Sequence, residues 1–576
     1  MSKETILNNL SRRKFIRNSV IAATGAILLP SAITGCKKDE TSQPDPKAGF
    51  KEGVASFDPT QDKVILWTRY TPSESEKSKP RIALDVAKDK DFKTVVVSQT
   101  VEVDTGSDYT VYVDVSQLQA NTKYYYRFRN EKTKAVSIIG ETKTLPAAGQ
   151  VSEVKLAVVS CANFQAGLFN VYGAVAESDA DVVIHLGDYI YEYPSGAYGS
   201  NSSTETLKRA HKPTGEIITL DDYRTRYRQY RGDEQLQKAH QLKPFICVWD
   251  DHEIANNAFK DGAQNHQPNE GDFSTRKASA IQVWHEYLPA RVIDNAKIYR
   301  SFEFGNLVSL IMLDTRIAGR DKQLDYNDYL TSTGLNAPKF LADWQNPQRT
   351  ILGQEQRNWL ISKIASSTSK WQVLGNQVLM GKMFIPAELL LLTAQIAAGS
   401  TDPTLFIKYN TVVTELVTIK TRLLNNDPTL TTAEKARVQT VLPYNLDAWD
   451  GYPVEREVIY GSAKGKKLVS LAGDTHNAWY SDLSDSKGNK AGVEFATSSV
   501  SSPGFEAIFG NNPQTLAAFE QANEFLIDDL KYVDASKRGY VMASFSTNQA
   551  KAEWRFINTL TSVSTTTVTG KAITES

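Results

Sequence analysis

Six apolar runs in this chain each stop at a residue able to hold a metal ion or a phosphate. Leu156 to Ser160 ends at Cys161, and Val182 to Leu186 ends at Gly187 and Asp188, with Tyr191 three residues on. Phe245 to Trp249 delivers Asp250, Asp251, His252 and Glu253, and Val308 to Leu313 delivers Asp314 and Arg316. Trp371 to Leu374 precedes Gly375, Asn376 and Gln377, and Leu468 to Ala472 precedes Gly473, Asp474 and His476. Short apolar runs bounded by turn residues read as buried strands. Layered α/β folds place their chemistry at strand ends. Six such ends brought together would supply a thiolate, carboxylates, a phenol, an amide and imidazoles, a ligand set for a multinuclear metal site.

Gly187 allows a sharp turn after its strand, and Asp188 behind it can bridge two metals. Tyr191 lies within reach of the same ion, and a phenolate is a hard donor that selects Fe(III) over divalent metals. Cys161 is either a third ligand of that ion or a buried small hydrophobe. Cys247, inside its apolar run, reads as core. The density of charge from Asp250 to Glu253 predicts a neutralising cation, and oxygen-rich ligands suit Ca²⁺ or Mg²⁺. Asp251 is the expected ligand there, with a helix cap as the structural alternative for Asp250 or Asp251. His252 faces the substrate as a phosphate donor or general acid. Asn256 or Asn257 completes the second metal, and the spacing does not choose between them. Asp474 and His476, two apart in an extended segment, share a face and can point at neighbouring ions. Arg316 pairs either a phosphate oxyanion or one of the site's carboxylates. Asn376 reads as an oxygen ligand, a phosphate donor or a turn residue. Asp447 to Pro453 reads as an aromatic turn holding the site from behind.

The elements that must position these groups divide the chain. From Gly49 to about Pro146, short β-branched and aromatic runs with turns predict an all-β sandwich of the fibronectin or immunoglobulin kind. From Val151 to about residue 560, strands alternate with helical stretches, which predicts an α/β core of packed sheets flanked by helices. Residues 387–441 carry a helical period and read as an insertion beside the site's rim. The Thr/Ser-rich residues 561–576 read as a flexible tail.

At 576 residues the chain is too long for one simple domain. Lys+Arg (65) nearly balance Asp+Glu (66), which argues against a nucleic-acid surface built on broad positive charge. No Walker loop and no Gly-x-Ser-x-Gly elbow is present, so nucleotide-loop and serine-hydrolase readings lack support. Residues 1–36 read as a targeting segment. Ser11-Arg12-Arg13-Lys14-Phe15-Ile16 resembles a twin-arginine signal, and Val20 to Leu29 is too short to span a bilayer comfortably. Ile33-Thr34-Gly35-Cys36 resembles a lipobox, so Cys36 is the expected lipid anchor and residues 37–48 the tether. Lys37-Lys38-Asp39-Glu40 looks like a surface-sorting signal of Bacteroidetes lipoproteins. The twin-arginine translocase is then the expected partner in export, the cell envelope the destination and a monomer the expected state. Beyond the lipidated Cys36, only Cys161 and Cys247 remain after processing, which makes a disulfide framework unexpected.

In chain order these motifs resemble the PhoD-type alkaline phosphatases and phosphodiesterases, over nearly everything from Gly53 to Phe556. The resemblance includes Gly53-Val54-Ala55-Ser56-Phe57-Asp58-Pro59, Leu66-Trp67-Thr68-Arg69, Trp249 to Glu253, Asp447 to Pro453 and Phe495 to Pro503. Gly187 to Tyr191 also looks like the iron motif of purple acid phosphatases, which use an Asp where this chain has Cys161. The family implies a calcineurin-like core with a ferric ion and calcium ions. By position, Cys161, Asp188, Tyr191 and His476 match the iron ligands, with Asp188 bridging, and Asp251 and Asp474 match acidic positions near calcium. The expected function is an exported phosphoesterase that releases phosphate from esters, with His252 and Arg316 stabilising charge or protonating the leaving group. A phosphodiesterase or phospholipase D-like enzyme is the nearest alternative. A non-catalytic surface polymer-binding protein is the alternative of another class.

Overall fold

The computed structural model describes residues 49–73, 80–332, 334–397 and 402–576. The export segment, the lipobox with Cys36 and the tether to residue 48 lie outside the described residues. Two sheets form the centre. The nine-stranded sheet runs in the order Thr567–Glu575, Ala550–Ile557, Gly539–Ser546, Glu153–Val159, Val182–His185, Pro244–Cys247, Val54–Phe57, Val64–Arg69, Thr110–Val115. The seven-stranded sheet runs Arg300–Phe304, Val308–Met312, Trp371–Gly375, Lys467–Ala472, Lys490–Ala496, Ala478–Ser484, Leu530–Asp534.

Each sheet has a parallel heart, and both hearts are built from the apolar runs. Glu153–Val159, Val182–His185 and Pro244–Cys247 are parallel neighbours, with Val159 opposite His185 and His185 opposite Cys247. Val308–Met312, Trp371–Gly375 and Lys467–Ala472 repeat the arrangement, with Met312 opposite Gly375 and Gly375 opposite Leu471. Parallel strands buried on both faces must be apolar throughout, which is why these segments do not alternate. Leu156, Val183, Val308, Leu310, Val373 and Val469 belong to one core cluster, so the two sheets pack face to face. In-register parallel strands end at one edge. Two stacked sheets therefore present six strand ends to one place.

The N-terminal sandwich pairs a four-stranded sheet (Val95–Glu102, Arg81–Ala87, Lys123–Asn130, Gly140–Lys143) with the end of the nine-stranded sheet. Val54, Leu66, Leu84, Val86, Val113 and Phe128 fill the space between them. Val54–Phe57 lies parallel to Pro244–Cys247, so one sheet of the sandwich is continuous with the core sheet. Arg300 locks the junction through its ion pair with Asp58 at 2.7 Å.

Helices Ala387–Ala397, Pro403–Leu424 and Thr432–Gln439 form the insertion, closed at its base by a ribbon of Phe384–Pro386 and Val441–Pro443. The expected flexible tail is corrected: Thr567–Glu575 is an edge strand paired antiparallel to Ala550–Ile557. Its β-branched residues favour a pleated, half-exposed surface. Glu575 anchors the end, accepting from the Tyr480 hydroxyl and pairing with Lys490 at 3.0 Å.

Candidate metal centre

The turns that follow the strands aim the functional side chains, and they do so through unusual backbone. Cys161, Asp188, Asp474 and His476 all adopt left-handed φ values, of 62°, 55°, 65° and 67°. Non-glycine residues rarely hold this conformation, and where it clusters it marks a site that the surrounding structure over-determines. Gly187 adopts φ 102°, and a Cβ there would lie 2.3 Å from the Asp250 backbone nitrogen. Glycine is required at this crossing of two strand ends. Glu253 ties the crossing together: its carboxylate accepts the backbone N–H groups of Asp188 (3.0 Å), Tyr189 (2.6 Å) and Asp250 (2.8 Å).

Three groups of donors result, each with its ligand atoms within 4.8 Å of one another: Cys161, Asp188 and His476; Asp188, Asp251 and His252; Asp250, Asp251 and Asp474. Asp188 belongs to the first two and Asp251 to the last two. Tyr191 joins the first group, donating to Asp188 Oδ2 at 2.8 Å and lying 3.2 Å from His476 Nε2. Ser502 Oγ sits 2.7 Å from the Tyr191 oxygen. His476 Nδ1 lies 2.8 Å from the Pro503 carbonyl, which only accepts, so Nδ1 carries the proton and Nε2 is the nitrogen left for a metal.

This donor set fits cations. Asp188 Oδ1, Asp250 Oδ2 and the side-chain oxygens of Asn256 and Asn257 are buried without a hydrogen-bond partner. Burial, with Asp188 adding repulsion, pushes the Cys161 thiol and the Tyr191 phenol well above their ordinary pKa. Burial and the neighbouring carboxylates push Asp188 up to about 7. Such groups bear their anionic forms beside one another only around positive charge, and a metal ion inverts this local balance.

His252 and Arg316 divide sharply. His252 Nδ1 donates to the buried Glu192 carboxylate at 2.6 Å, which leaves Nε2 for other chemistry. Burial disfavours its charged form, but Asp251, Asp188 and Glu192 outweigh burial and hold its pKa well above the usual range. The phosphate-binding and catalytic reading of Arg316 is corrected. Arg316 is fully buried, and its guanidinium pairs with Asp250, with Asp447 at 2.8 Å, with Asp474 at 3.1 Å and with Asp251 at 3.4 Å. It is the internal counter-ion of the acidic cluster, the second of its two sequence readings. Asn376 is buried, and its side-chain oxygen accepts from the Trp449 indole at 3.2 Å. Its Nδ2, without a partner, is the donor that a phosphate contact needs. Asn256 is held by Glu192 and Gln264, while its neighbour Asn257 lines the adjoining cavity.

Sequence reasoning missed Glu192 and the place of Ser502, and it named Asp250 in the charged run without choosing it as a ligand. Glu192 follows Tyr191 directly, and besides His252 it accepts from Asn256 N–H at 2.9 Å and Asn265 Nδ2 at 2.5 Å. The available signal was a lone carboxylate among aromatic residues, where it has no solvated face. Asp447 stood in the aromatic turn expected behind the site and is part of it, pairing with both Arg316 and Arg320. Cys247 is buried core, as read.

The comparisons with known proteins agree with this geometry. Residues 156–554 match the family described as PhoD-like phosphatase, and residues 35–146 match the PhoD-like phosphatase N-terminal domain. Alkaline phosphatase D of Bacillus subtilis (strain 168) is 31% identical over 575 residues, covering 96% of this chain and 86% of the relative. A solved structure of PhoD superposes with a TM-score of 0.70 at 30% identity, covering 93% of this chain and 91% of that one. The reading as a non-catalytic polymer-binding protein is thereby set aside. The chain belongs to the PhoD-like phosphatases and is a phosphoric ester hydrolase.

Proposed function

We propose that the chain is an exported phosphomonoesterase, an alkaline phosphatase like its relative, whose site holds a ferric ion and calcium ions. The observation that carries this is Asp188, shared between the thiol–phenol–imidazole group and a second group with Asp251 and His252, from which Asp251 leads on to the all-carboxylate group. Cys161, Asp188, Tyr191 and His476 would hold the ferric ion, since phenolate is a hard donor that suits a small, highly charged ion and the thiolate and carboxylate add negative charge. Asp251 and Asp474, with Asp250 and an Asn256 or Asn257 oxygen, would hold calcium. Bound there, the ions supply Lewis acidity to the phosphoryl oxygens.

The chain's own residues do the rest. His252, oriented by Glu192, whose anion favours the protonated ring and is not among the metal ligands, donates through Nε2 to a phosphoryl or leaving-group oxygen. Arg316 offsets repulsion among four carboxylates, so that they stay in place when an ester enters. Asn376 Nδ2 offers a further donor. The segment from Ser11 to Cys36 supports export through the twin-arginine translocase and a lipid anchor in the envelope. Among the described residues no helix is long and apolar enough to cross a membrane. A diester or lipid head group is the second reading, favoured by the size of the adjoining cavity, about 820 Å³.

The test is hydrolysis of a chromogenic phosphomonoester and its matching diester, with and without a calcium chelator. Chelator-sensitive turnover with the monoester faster is the expected result. A faster diester selects the second reading, and chelator-insensitive turnover contradicts the calcium assignment.

A further inference from the structure

The cavity beside the metal-competent groups has a volume of about 820 Å³, far more than a phosphoryl group fills. His476, Asn257 and Asp447 connect it to the centre. Away from these it is lined by Leu379, Met383, Leu390, Tyr444, Phe505 and Ile508. All six belong to one apolar cluster or pack directly against it. Leu390 comes from the first helix of the insertion, and the Phe505 ring lies 6.3 Å from that of Tyr444. Leu379, Met383, Leu390 and Phe505 are buried and Tyr444 and Ile508 partly exposed, so the wall is the edge of an apolar cluster that meets the cavity next to the chemistry.

Charge along the same cavity limits what it accepts. Lys322 is the one Lys or Arg among the described lining residues, against Asp261, Asp325 and Asp328, while Asp447 is already neutralised by Arg316 and Arg320. A leaving group bearing a second phosphate meets net repulsion here. An uncharged apolar group meets surface that gains from being covered.

We propose that this wall is the leaving-group subsite, and that it selects phosphate esters of uncharged alkyl or aryl alcohols over esters whose leaving group is itself anionic. The proposal rests on the phosphoesterase reading of the adjoining centre. It assigns to the helical insertion a part in specificity, through Leu390.

The experiment measures kcat/KM for methyl, butyl and hexyl phosphate and for an alkanediol bisphosphate, using the metal-loaded chain. The expected result is a rise of roughly two- to fourfold per added methylene, the upper figure being full burial of each CH₂. The bisphosphate is expected to fall below the alkyl ester of the same length. Leu390→Ala and the milder Ile508→Ser should flatten the series while leaving methyl phosphate within about twofold. A flat series with normal methyl phosphate turnover overturns the subsite and leaves the hydrolase reading intact. Absence of phosphate release from every monoester sinks the monoesterase reading instead. The wall is then read from inhibition of diester hydrolysis by methyl- and hexylphosphonate, where tighter hexylphosphonate supports it and equal inhibition overturns it.

Discussion

At the scale of single residues, the centre combines groups that could not coexist in the apolar interior without compensation. Asp188, Asp250, Asp251 and Asp474 are all buried, and Arg316 alone lies among three of them and Asp447. Removing one partner of such a buried arrangement is costly because the remaining charge is stranded. Glu192 acts one step away, by fixing the tautomer and charge of His252. Glu192→Gln removes one of the three anions that raise the His252 pKa, after Asp251 and Asp188, so the activity limb that needs protonated His252 should move to lower pH. Turnover should fall roughly 10–100-fold, the scale of losing a partner that orients a functional group. A pH–rate profile beside a circular dichroism spectrum checks this, because misfolding would lower the rate without moving the limb. Most of these residues were legible from their positions after apolar runs. Glu192 was not, because a carboxylate inside Tyr191-Glu192-Tyr193 belongs to no strand-end pattern. The role of Arg316 was legible only as two options, since the residue type suits phosphate and carboxylate equally.

At the scale of elements, the strands are ordinary and the turns are not. The six apolar runs became strands buried on both faces in the parallel hearts of the two sheets, four with parallel neighbours on both sides and Glu153–Val159 and Val308–Met312 with one parallel and one antiparallel. The left-handed residues after them were not legible in the sequence, since Cys has no preference for that backbone and the enrichment of Asp and His there is too weak to place a single residue. Only Gly187 announced its turn. Gly187→Ala places a methyl group against the Asp250 backbone and enforces an unfavourable φ. The expected cost is about 2–4 kcal/mol, from backbone strain together with overpacking. Chemical denaturation checks it, with loss of activity before loss of fold because Asp250 is displaced. The C-terminal strand Thr567–Glu575 shows the opposite failure of sequence reading. Thr/Ser richness resembled a frayed tail, while the β-branched content that makes a good edge strand was overlooked.

At the scale of the molecule, both layers and the helical insertion were legible from periodicity and length. The continuity of the sandwich with the core sheet was not, because pairing between Val54–Phe57 and Pro244–Cys247 joins segments nearly two hundred residues apart. Global stability also carries a pH signature. Buried His185 accepts the Gly187 N–H at Nδ1 and lies 2.7 Å from the Tyr172 hydroxyl through Nε2, so the neutral ring is satisfied. Burial holds its pKa down to about 3, below the value of about 6.5 that it regains on unfolding. This contribution is fully present above pH 6.5 and is lost as pH falls, by about 2–3 kcal/mol at pH 4.5. Unfolding free energies of wild type and His185→Gln across pH 7 to 4.5 check it, the variant showing the shallower slope. The central claim remains the metal centre itself. Its most direct measurement is metal content and visible absorption of the purified protein and of Tyr191→Phe, side by side with phosphomonoester turnover. The account predicts bound iron and calcium, a tyrosinate-to-iron band that disappears in Tyr191→Phe, and turnover lost with it. A colourless, iron-free protein with full activity, or a variant that keeps both colour and rate, would contradict it.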